Sequence, residues 1–371
     1  MPKASAAVFR GNPKNKIIAQ GRRMPSWCVV LLASLVSSSA LAFDLGPNPL
    51  DFDNYLPGGA YSDKFSCAGP TGNAQLNSDP AFSVETARWL AWTSLRAYHL
   101  PSAQKRFAEH GFDLVETIEN GASGLEAIIA SNSDSVVISY AGTVQLQDFI
   151  ADFNFAPTED LLTFIPGKIH TGFLKTLDAS WNQIEKTIEK QAVNGKKIFV
   201  TGHSLGASMA TLTAYRLAQK KRDVASVYLY APPRVGNAAF VTAYNAVLGN
   251  NTFRILNNQD MVAHLPPAAE AADAFGDLFP SPIKEKISQM VTDFNYGPVG
   301  IREFTFNDSG VLLNTDLSVS SPDLTYWSGV FTRSANENIF QIMRINSKLI
   351  LDHIPTADYC YLEKALNSTL K

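Results

Sequence analysis

Helix-like and strand-like segments alternate in the middle of the chain, and this alternation constrains the fold more than any other feature. Apolar residues recur at helical spacing from Phe173 to Ile188 and again from Leu205 to Lys220. A short apolar run of strand length follows each helical segment, Lys197 to Thr201 and then Ser226 to Tyr230. Because parallel strands need a crossover helix between them, the pattern predicts an α/β fold with a mostly parallel sheet flanked by helices.

Three further β-prone runs precede this region, at Leu114 to Ile118, Glu126 to Ala130 and Val136 to Tyr140. The turn-forming sequences Asn120-Gly121 and Asn132-Ser133-Asp134 separate them. The sequence therefore predicts that consecutive strands joined by tight turns extend the parallel sheet.

The N-terminal segment has the features of an export signal. Arg22 and Arg23 precede an apolar run from Trp27 to Val36, and small residues lead to Ala42. That run has about ten residues, well short of the roughly 20 that a membrane-spanning helix needs. We predict that residues 1–42 form a signal peptide, with Met24 as an alternative start, and that the protein is secreted without a transmembrane anchor.

Residues 43–371 are predicted to form a single domain. The chain has 371 residues, of which 46% are hydrophobic, enough for one large core. The formal net charge of -3 provides no basic field for nucleic acid or an anionic membrane surface, so a neutral substrate is favoured. We expect a monomer that binds no nucleic acid.

The pentapeptide Gly202 to Gly206 reads Gly-His-Ser-Leu-Gly and lies between a predicted strand and a predicted helix. In this context the serine occupies a sharp strand-to-helix turn, where flanking side chains would collide with the turn. The N-terminus of the helix also directs backbone N–H groups toward a developing negative charge. These features indicate that Ser204 is a nucleophile.

A serine hydroxyl becomes reactive when a histidine accepts its proton and an acid orients that histidine. In α/β-hydrolases the order along the chain is serine, acid, histidine. Only His264 and His353 follow Ser204. We predict His353 as the base, because it lies late enough to return to the carboxyl edge of the sheet; His264, in a loop bounded by prolines, is the alternative. This chemistry requires no metal or organic cofactor.

Asp260 is the leading candidate for the acid. It follows the strand-like run Phe253 to Leu256, and catalytic groups collect at the carboxyl ends of strands in open α/β sheets. An aspartate that merely caps a turn is the alternative interpretation. In that case Asp273 or Asp277 would replace it.

Two cysteines remain once the predicted signal, which contains Cys28, is removed. Cys67 and Cys360 then form an even pair in an oxidising compartment. We predict that they form a disulfide, and two buried free thiols are the alternative.

Several sequence blocks resemble the fungal-type class 3 lipases, the family of the Rhizomucor and Thermomyces enzymes. The blocks are Tyr140-Ala141-Gly142-Thr143 with Asp148 and Asp152, Ile169 to Phe173, Val200 to Gly206, Ala231 to Asn237, and Asn257 to Pro267. The resemblance runs from roughly Ala87 to Glu303 and resumes around His353. It implies an α/β-hydrolase fold with Ser204, Asp260 and His353 as the triad. It also implies that the backbone N–H groups of Thr143 and Leu205 form the oxyanion hole, and that His170 and His203 are structural.

The resemblance further implies a short helical lid after Thr143. The predicted lid and substrate residues are Asp148, Phe149, Ile150, Phe153 and Phe155. Opening of such a lid would expose an apolar patch that binds a lipid surface. Packing of the same aromatic residues against the core is the alternative. The related enzymes also have a disulfide between the N-terminal arm and the C-terminal segment, in agreement with the predicted pair of Cys67 and Cys360.

The sequence departs from the family pattern at three places. Ala141 replaces an arginine before the glycine of the oxyanion loop, and Phe149 replaces a tryptophan in the predicted lid. The interval from Asp260 to His353 is also longer than the family usually has. We interpret 307–347 as an insertion that forms either a flap or substrate wall near the site, or a pair of surface helices.

Together these features predict a secreted carboxylic ester hydrolase, in the first place a triacylglycerol lipase that acts at a lipid–water interface through an acyl-enzyme intermediate. A phospholipase or a feruloyl-type or other esterase is the alternative, because lid and acyl groove determine substrate class. A lipase-like binding protein without catalysis is the non-enzymatic alternative.

Overall fold

The computed structural model describes residues 69–143, 156–160, 163–257, 259–281, 283–306, 309, 312–317, 323–334, 352–354, 359–360, 362–365 and 367. All of them belong to one compact unit, Leu45–Lys371. The predicted signal peptide, Cys67 and the five predicted lid residues lie outside the described residues. Among the described helices, none has the length and apolar character needed to cross a bilayer.

An eight-stranded sheet forms the centre of the fold, in the order β1-β2-β3-β6-β7-β9-β11-β12. The strands in the described part of the chain are β1 Leu114–Asn120, β2 Leu125–Ser131, β3 Ser135–Tyr140, β4 Pro157–Thr158, β5 Ile169–His170, β6 Lys197–His203, β7 Val224–Tyr230, β8 Gly236–Asn237, β9 Thr252–Asn257, β10 Tyr296–Gly297, β11 Arg302–Phe306 and β12 Leu312–Asp316. The pairings from β3 through β11 are parallel, whereas β1, β2 and β12 pair antiparallel at the two edges. The four shortest strands form a second small sheet.

Helices cover both faces of the central sheet. They are α1 Val84–Ala97, α2 Ala103–Ala108, α3 Thr171–Asp178, α4 Trp181–Gln191, α5 Leu205–Gln219, α6 Ala238–Leu248, α7 Ala272–Gly276, α8 Ile283–Phe294 and α9 Asp323–Ser334. One apolar cluster joins the sheet to α3, α4, α5 and α6, and a second joins it to α1 and α2. Neighbouring strand residues alternate between the clusters, as Phe199 and Val200 do, because successive side chains point to opposite faces.

This architecture is the α/β-hydrolase fold, and it confirms the predicted mostly parallel sheet flanked by helices. One predicted element differs. The helical stripe from Phe173 to Ile188 is two helices, because the chain turns at Ala179 and Ser180. The side-chain amide of Asn120 donates to the Ala179 carbonyl at 3.3 Å and to the Ser180 hydroxyl at 3.0 Å, which satisfies polar groups at that turn.

The segment 307–347 contributes a strand and a helix in its described part. Strand β12 pairs antiparallel with β11 and extends the central sheet at its edge. Helix α9 buries Trp327 and Val330 completely or nearly so. A pair of surface helices therefore does not describe the whole segment, because one part of it continues the sheet.

Candidate active site

Ser204 lies on the turn between β6 and α5. Its backbone has φ 57° and ψ -127°, a left-handed conformation that a residue with a side chain adopts only when its surroundings enforce it. A Cβ at Gly202 would lie 2.3 Å from the Gly206 carbonyl oxygen, and a Cβ at Gly206 would lie 2.4 Å from the Tyr140 carbonyl oxygen. Both glycines are therefore required by the close approach of backbone segments around the serine.

The structure brings the three predicted triad residues into one hydrogen-bonded chain. His353 Nε2 lies 2.7 Å from Ser204 Oγ, and His353 Nδ1 lies 2.8 Å from Asp260 Oδ2. All three residues are buried, with His353 and Asp260 fully enclosed. This arrangement can move a proton from the serine hydroxyl to the imidazole while the carboxylate holds the ring.

Asp260 follows β9 after a short turn. One carboxylate oxygen accepts the Val262 backbone N–H at 2.8 Å, and the other faces His353. The carboxylate thus caps the local turn and also contacts the histidine, and its role as the catalytic acid stays a prediction. Burial raises the pKa of Asp260, while the Val262 N–H and the charges of His264 and Arg254 act against that rise.

The alternative base and acids lie elsewhere. His264 Nδ1 lies 3.0 Å from Asp323 Oδ1, and its ring stacks on Tyr326. Asp277 forms an ion pair with Lys284. Asp273 is exposed on α7.

Burial also determines the protonation state of the histidine. It lowers the pKa of His353 to about 3. The imidazole is therefore neutral near pH 7 and can accept a proton from Ser204.

Of the two predicted oxyanion residues, Leu205 directly follows the serine, and Thr143 comes from the distant loop after β3. Leu205 is the first residue of α5, so its N–H is one of the N-terminal groups without a partner inside the helix. Thr143 follows Gly142, where a Cβ would lie 2.8 Å from Ser204 Cβ. At Ala141, the backbone N–H donates to the Glu126 carbonyl at 3.0 Å, which continues the pairing of β2 with β3.

His203 contacts both the site and a residue that the sequence did not single out. The Tyr98 hydroxyl lies 2.7 Å from His203 Nδ1, and the ring centroids of His203 and His353 are 4.9 Å apart. Tyr98 lies directly after α1, and the helical periodicity of that segment gives no functional signal for it.

Two buried ion pairs near Asp260 were also not predicted from the sequence. Arg254 Nε lies 3.1 Å from Glu303 Oε2, and Arg234 forms a two-pronged pair with Asp323. The sequence did contain one signal for the first pair: Arg254 is a charged residue between Phe253 and Ile255 in an apolar strand. A charge at such a position is buried only when it has a partner of opposite charge.

Two buried histidines outside the hydrogen-bonded chain predict a steep pH dependence of stability. Burial lowers the pKa of His170 to about 4 and holds the pKa of His203 well below its usual value. In the unfolded chain these two imidazoles take up protons below about pH 6.5, whereas in the folded protein they stay neutral. Their contribution to the free energy of unfolding is therefore fully present above about pH 6.5 and is lost as the pH falls toward 4. We expect the free energy of unfolding to drop by about 3 kcal/mol per pH unit from these two residues.

Urea unfolding at several pH values between 7.5 and 4.5 measures this slope. His170 Nδ1 accepts the Gly172 N–H at 3.1 Å at the start of α3, a capping role that asparagine can also fill. His170→Asn should therefore keep the cap and lower the slope by about 1.4 kcal/mol per pH unit, the contribution of one histidine. A free energy that does not change between pH 7 and pH 5 would contradict the prediction.

Cys360 is disulfide-bonded. Because Cys67 lies outside the described residues, its pairing with Cys360 stays a prediction. Within the described part of the chain, no group of three or more His, Cys, Asp or Glu side chains is arranged to hold a metal ion.

Comparison with known proteins shows which family part of the sequence resembles. Residues 137–270 match the class 3 lipase family. A lipase of Rhizomucor miehei is 34% identical over 144 residues, which cover 36% of this chain and 38% of that protein. The secreted mono- and diacylglycerol lipase A of Penicillium cyclopium is 34% identical over 174 residues, which cover 45% of this chain and 54% of that protein. The chain thus spans less than two thirds of the length of either relative.

Solved structures agree with the fold. The native propeptide complex of the Rhizomucor miehei lipase aligns with a TM-score of 0.53 at 20% identity and covers 80% of this chain and 93% of that one. A triacylglycerol lipase whose catalytic centre is a serine protease triad aligns with a TM-score of 0.50 at 21% identity, covering 73% and 98%. Residues 137–270 are thus similar to the class 3 lipases, and the whole described chain shares the α/β-hydrolase fold with these solved structures.

Proposed function

We propose that this protein hydrolyses carboxylic esters with Ser204 as nucleophile, His353 as general base and Asp260 as the acid that orients the histidine. The observation that supports this most is the buried chain of contacts from Ser204 Oγ through both ring nitrogens of His353 to Asp260. The carboxylate can only accept, so the proton of the neutral imidazole lies on Nδ1 and leaves the Nε2 lone pair for the serine.

The reaction has two steps. Ser204 Oγ attacks the ester carbonyl as its proton passes to His353 Nε2, and a tetrahedral oxyanion forms. The N–H groups of Leu205 and Thr143 are proposed to bind that oxyanion. Collapse expels the alcohol, which takes the proton from Nε2, and leaves an acyl-serine. Water, deprotonated by His353, then attacks the acyl-serine and releases the fatty acid with Ser204 restored.

We propose acylglycerols as the substrate class and an extracellular location. Two lines of support bear on this: the named relatives include a secreted mono- and diacylglycerol lipase, and residues 1–42 have the composition of an export signal. The apolar residues predicted for the lid, Phe149 to Phe155, agree with action at a lipid surface. The long-chain triacylglycerol is the first substrate to test, with mono- and diacylglycerols of the same acyl chain beside it.

Hydrolysis of esters of increasing chain length, measured below and above the concentration at which each forms droplets, tests the substrate class. We expect the rate on long-chain acylglycerols to rise abruptly at the droplet threshold, because a surface-bound enzyme meets its substrate at high local concentration.

Smooth saturation restricted to soluble short esters would favour an esterase of the feruloyl or another type. Release of fatty acid mainly from phospholipid vesicles would favour a phospholipase. Binding to droplets without hydrolysis of any ester would favour a catalytically inactive binding protein.

A further inference from the structure

The loop that follows Asp260 is held by two buried arginines. Arg254 donates through Nη2 to the Ala263 carbonyl at 3.2 Å, and Arg234 donates through Nη1 to the Pro266 carbonyl at 2.9 Å. The Arg234 backbone N–H also donates to the Leu265 carbonyl at 2.7 Å. The path of the chain from Ala263 to Pro266 therefore depends on where these two guanidinium groups lie.

Each arginine needs a buried carboxylate, because an unpaired charge in the interior is strongly unfavourable. Arg254 pairs with Glu303 on the neighbouring strand β11. Arg234 pairs with Asp323, the first residue of helix α9, which lies in the segment interpreted as an insertion. The charge that holds Arg234 in place thus comes from a part of the chain outside the matched family region, 137–270.

Asp323 also contacts the loop that follows Asp260 directly. Its Oδ2 accepts the Ala268 backbone N–H at 2.8 Å, and its Oδ1 lies 3.0 Å from His264 Nδ1. Burial pushes the pKa of Asp323 upward, but the charge of Arg234 and hydrogen bonds from His264 and Arg234 outweigh it and hold the pKa below its usual value. A single fully buried carboxylate therefore joins the helix to the arginine and to two places on the loop.

Tyr326, one turn further along α9, contacts the loop on both sides of Asp260. Its hydroxyl donates to the Gln259 carbonyl at 3.1 Å, immediately before the acid. Its ring stacks on the His264 ring with centroids 3.8 Å apart and planes 12° apart. The helix thus holds the chain just before and four residues after Asp260.

We propose that α9, through Asp323 and Tyr326, is a positioning element that aims the Asp260 carboxylate at His353. Asp323 and Tyr326 are then positioning residues of the proposed ester hydrolysis, on which this inference rests. In this proposal, the long interval between Asp260 and His353 contains the helix that holds the Asp260 carboxylate in position. Displacement of a catalytic group by about 1 Å can cost roughly 10²-fold in rate, so such a support affects turnover.

Steady-state kinetics of the full chain on a soluble p-nitrophenyl butyrate substrate test the proposal. We expect Tyr326→Phe, which removes only the hydroxyl bonded to Gln259, to lower kcat about five-fold with KM unchanged. Asp323→Asn should lower kcat roughly 10²-fold. Tyr228→Phe is the matched control, because it removes a buried hydroxyl bonded to the backbone of Ser83, and its kcat should not change.

The same substitutions in an Asp260→Asn background separate positioning from general damage. Residues that act through Asp260 should have little further effect once its carboxylate is gone, whereas structural damage lowers kcat by the same factor in both backgrounds. Equal losses in both backgrounds, or an unchanged kcat in Tyr326→Phe, would overturn the proposal. If Asp323→Asn does not fold, Tyr326→Phe decides alone. Full activity of Asp260→Asn itself would refute the proposed role of the acid, and this inference with it.

Discussion

Replacement of Ser204 by alanine is expected to lower kcat on every ester substrate by a factor on the order of 10⁴ or more. The variant retains the imidazole, the carboxylate and the proposed oxyanion donors but has no atom that can form the acyl-enzyme. Alanine adopts the φ of 57° with the same difficulty as serine, so the strained turn should survive the change. Initial rates on a soluble ester at saturating concentration, together with the thermal unfolding midpoint, give the two required measurements.

Ser208→Ala is the matched control for this prediction. Ser208 is fully buried on α5, one helical turn after Ser204, and its substitution changes the same atoms in the same helix. We expect its kcat to stay within about two-fold of the original, since its hydroxyl does not contact the hydrogen-bonded chain. Ester turnover that persists in Ser204→Ala would rule out the proposed nucleophile, whatever Ser208→Ala does.

The strands and helices that form the core were predictable because their periodicity reflects burial. The apolar runs ending at Thr201 and Tyr230 are central strands covered on both faces, and such strands lack the polar alternation of an exposed sheet. The break between α3 and α4 was not predictable from that pattern. The Asn120 side chain, which comes from a distant turn, donates to both residues at that break, and local spacing does not contain such a contact.

The hydrogen-bonded residues themselves followed from chemistry and chain order. The chemistry required one histidine and one acid after Ser204, and only two histidines were available. Their geometry could not follow from the sequence, because the contact of His353 with Asp260 spans 93 positions and depends on tertiary packing. The contacts of α9 with the loop that follows Asp260 were not predicted for the same reason. Nothing local to Asp323 indicates that it lies against Arg234, 89 positions earlier.

The buried ionic groups and the reactive residues are parts of one arrangement. A buried Asp260 carboxylate beside a neutral His353 needs compensating dipoles and charges nearby, because burial raises the pKa of Asp260. Val262 supplies an N–H, and Arg254 supplies a positive charge that is itself balanced by Glu303. The stability of the fold and the protonation states of the site are therefore set by the same contacts.

Replacement of Asp260 by asparagine is expected to lower kcat roughly 10⁴-fold while the fold persists. An amide has nearly the shape of the carboxylate, and its oxygen can still accept the Val262 N–H. Its NH₂ group would then face His353 Nδ1 and favour the tautomer protonated on Nε2, which cannot accept the proton of Ser204. The imidazolium that forms during the reaction would also lose its neighbouring negative charge.

Steady-state rates and unfolding curves for Asp260→Asn and Asp273→Asn test this prediction as a pair. Asp273 is exposed on α7, so its amide variant makes the same chemical change away from the site and should keep full activity. Burial raises the pKa of Asp260, so removal of its charge should leave the free energy of unfolding unchanged or increase it. Less than a ten-fold loss of kcat in Asp260→Asn would show that the carboxylate is a structural cap and that His353 is oriented by other contacts.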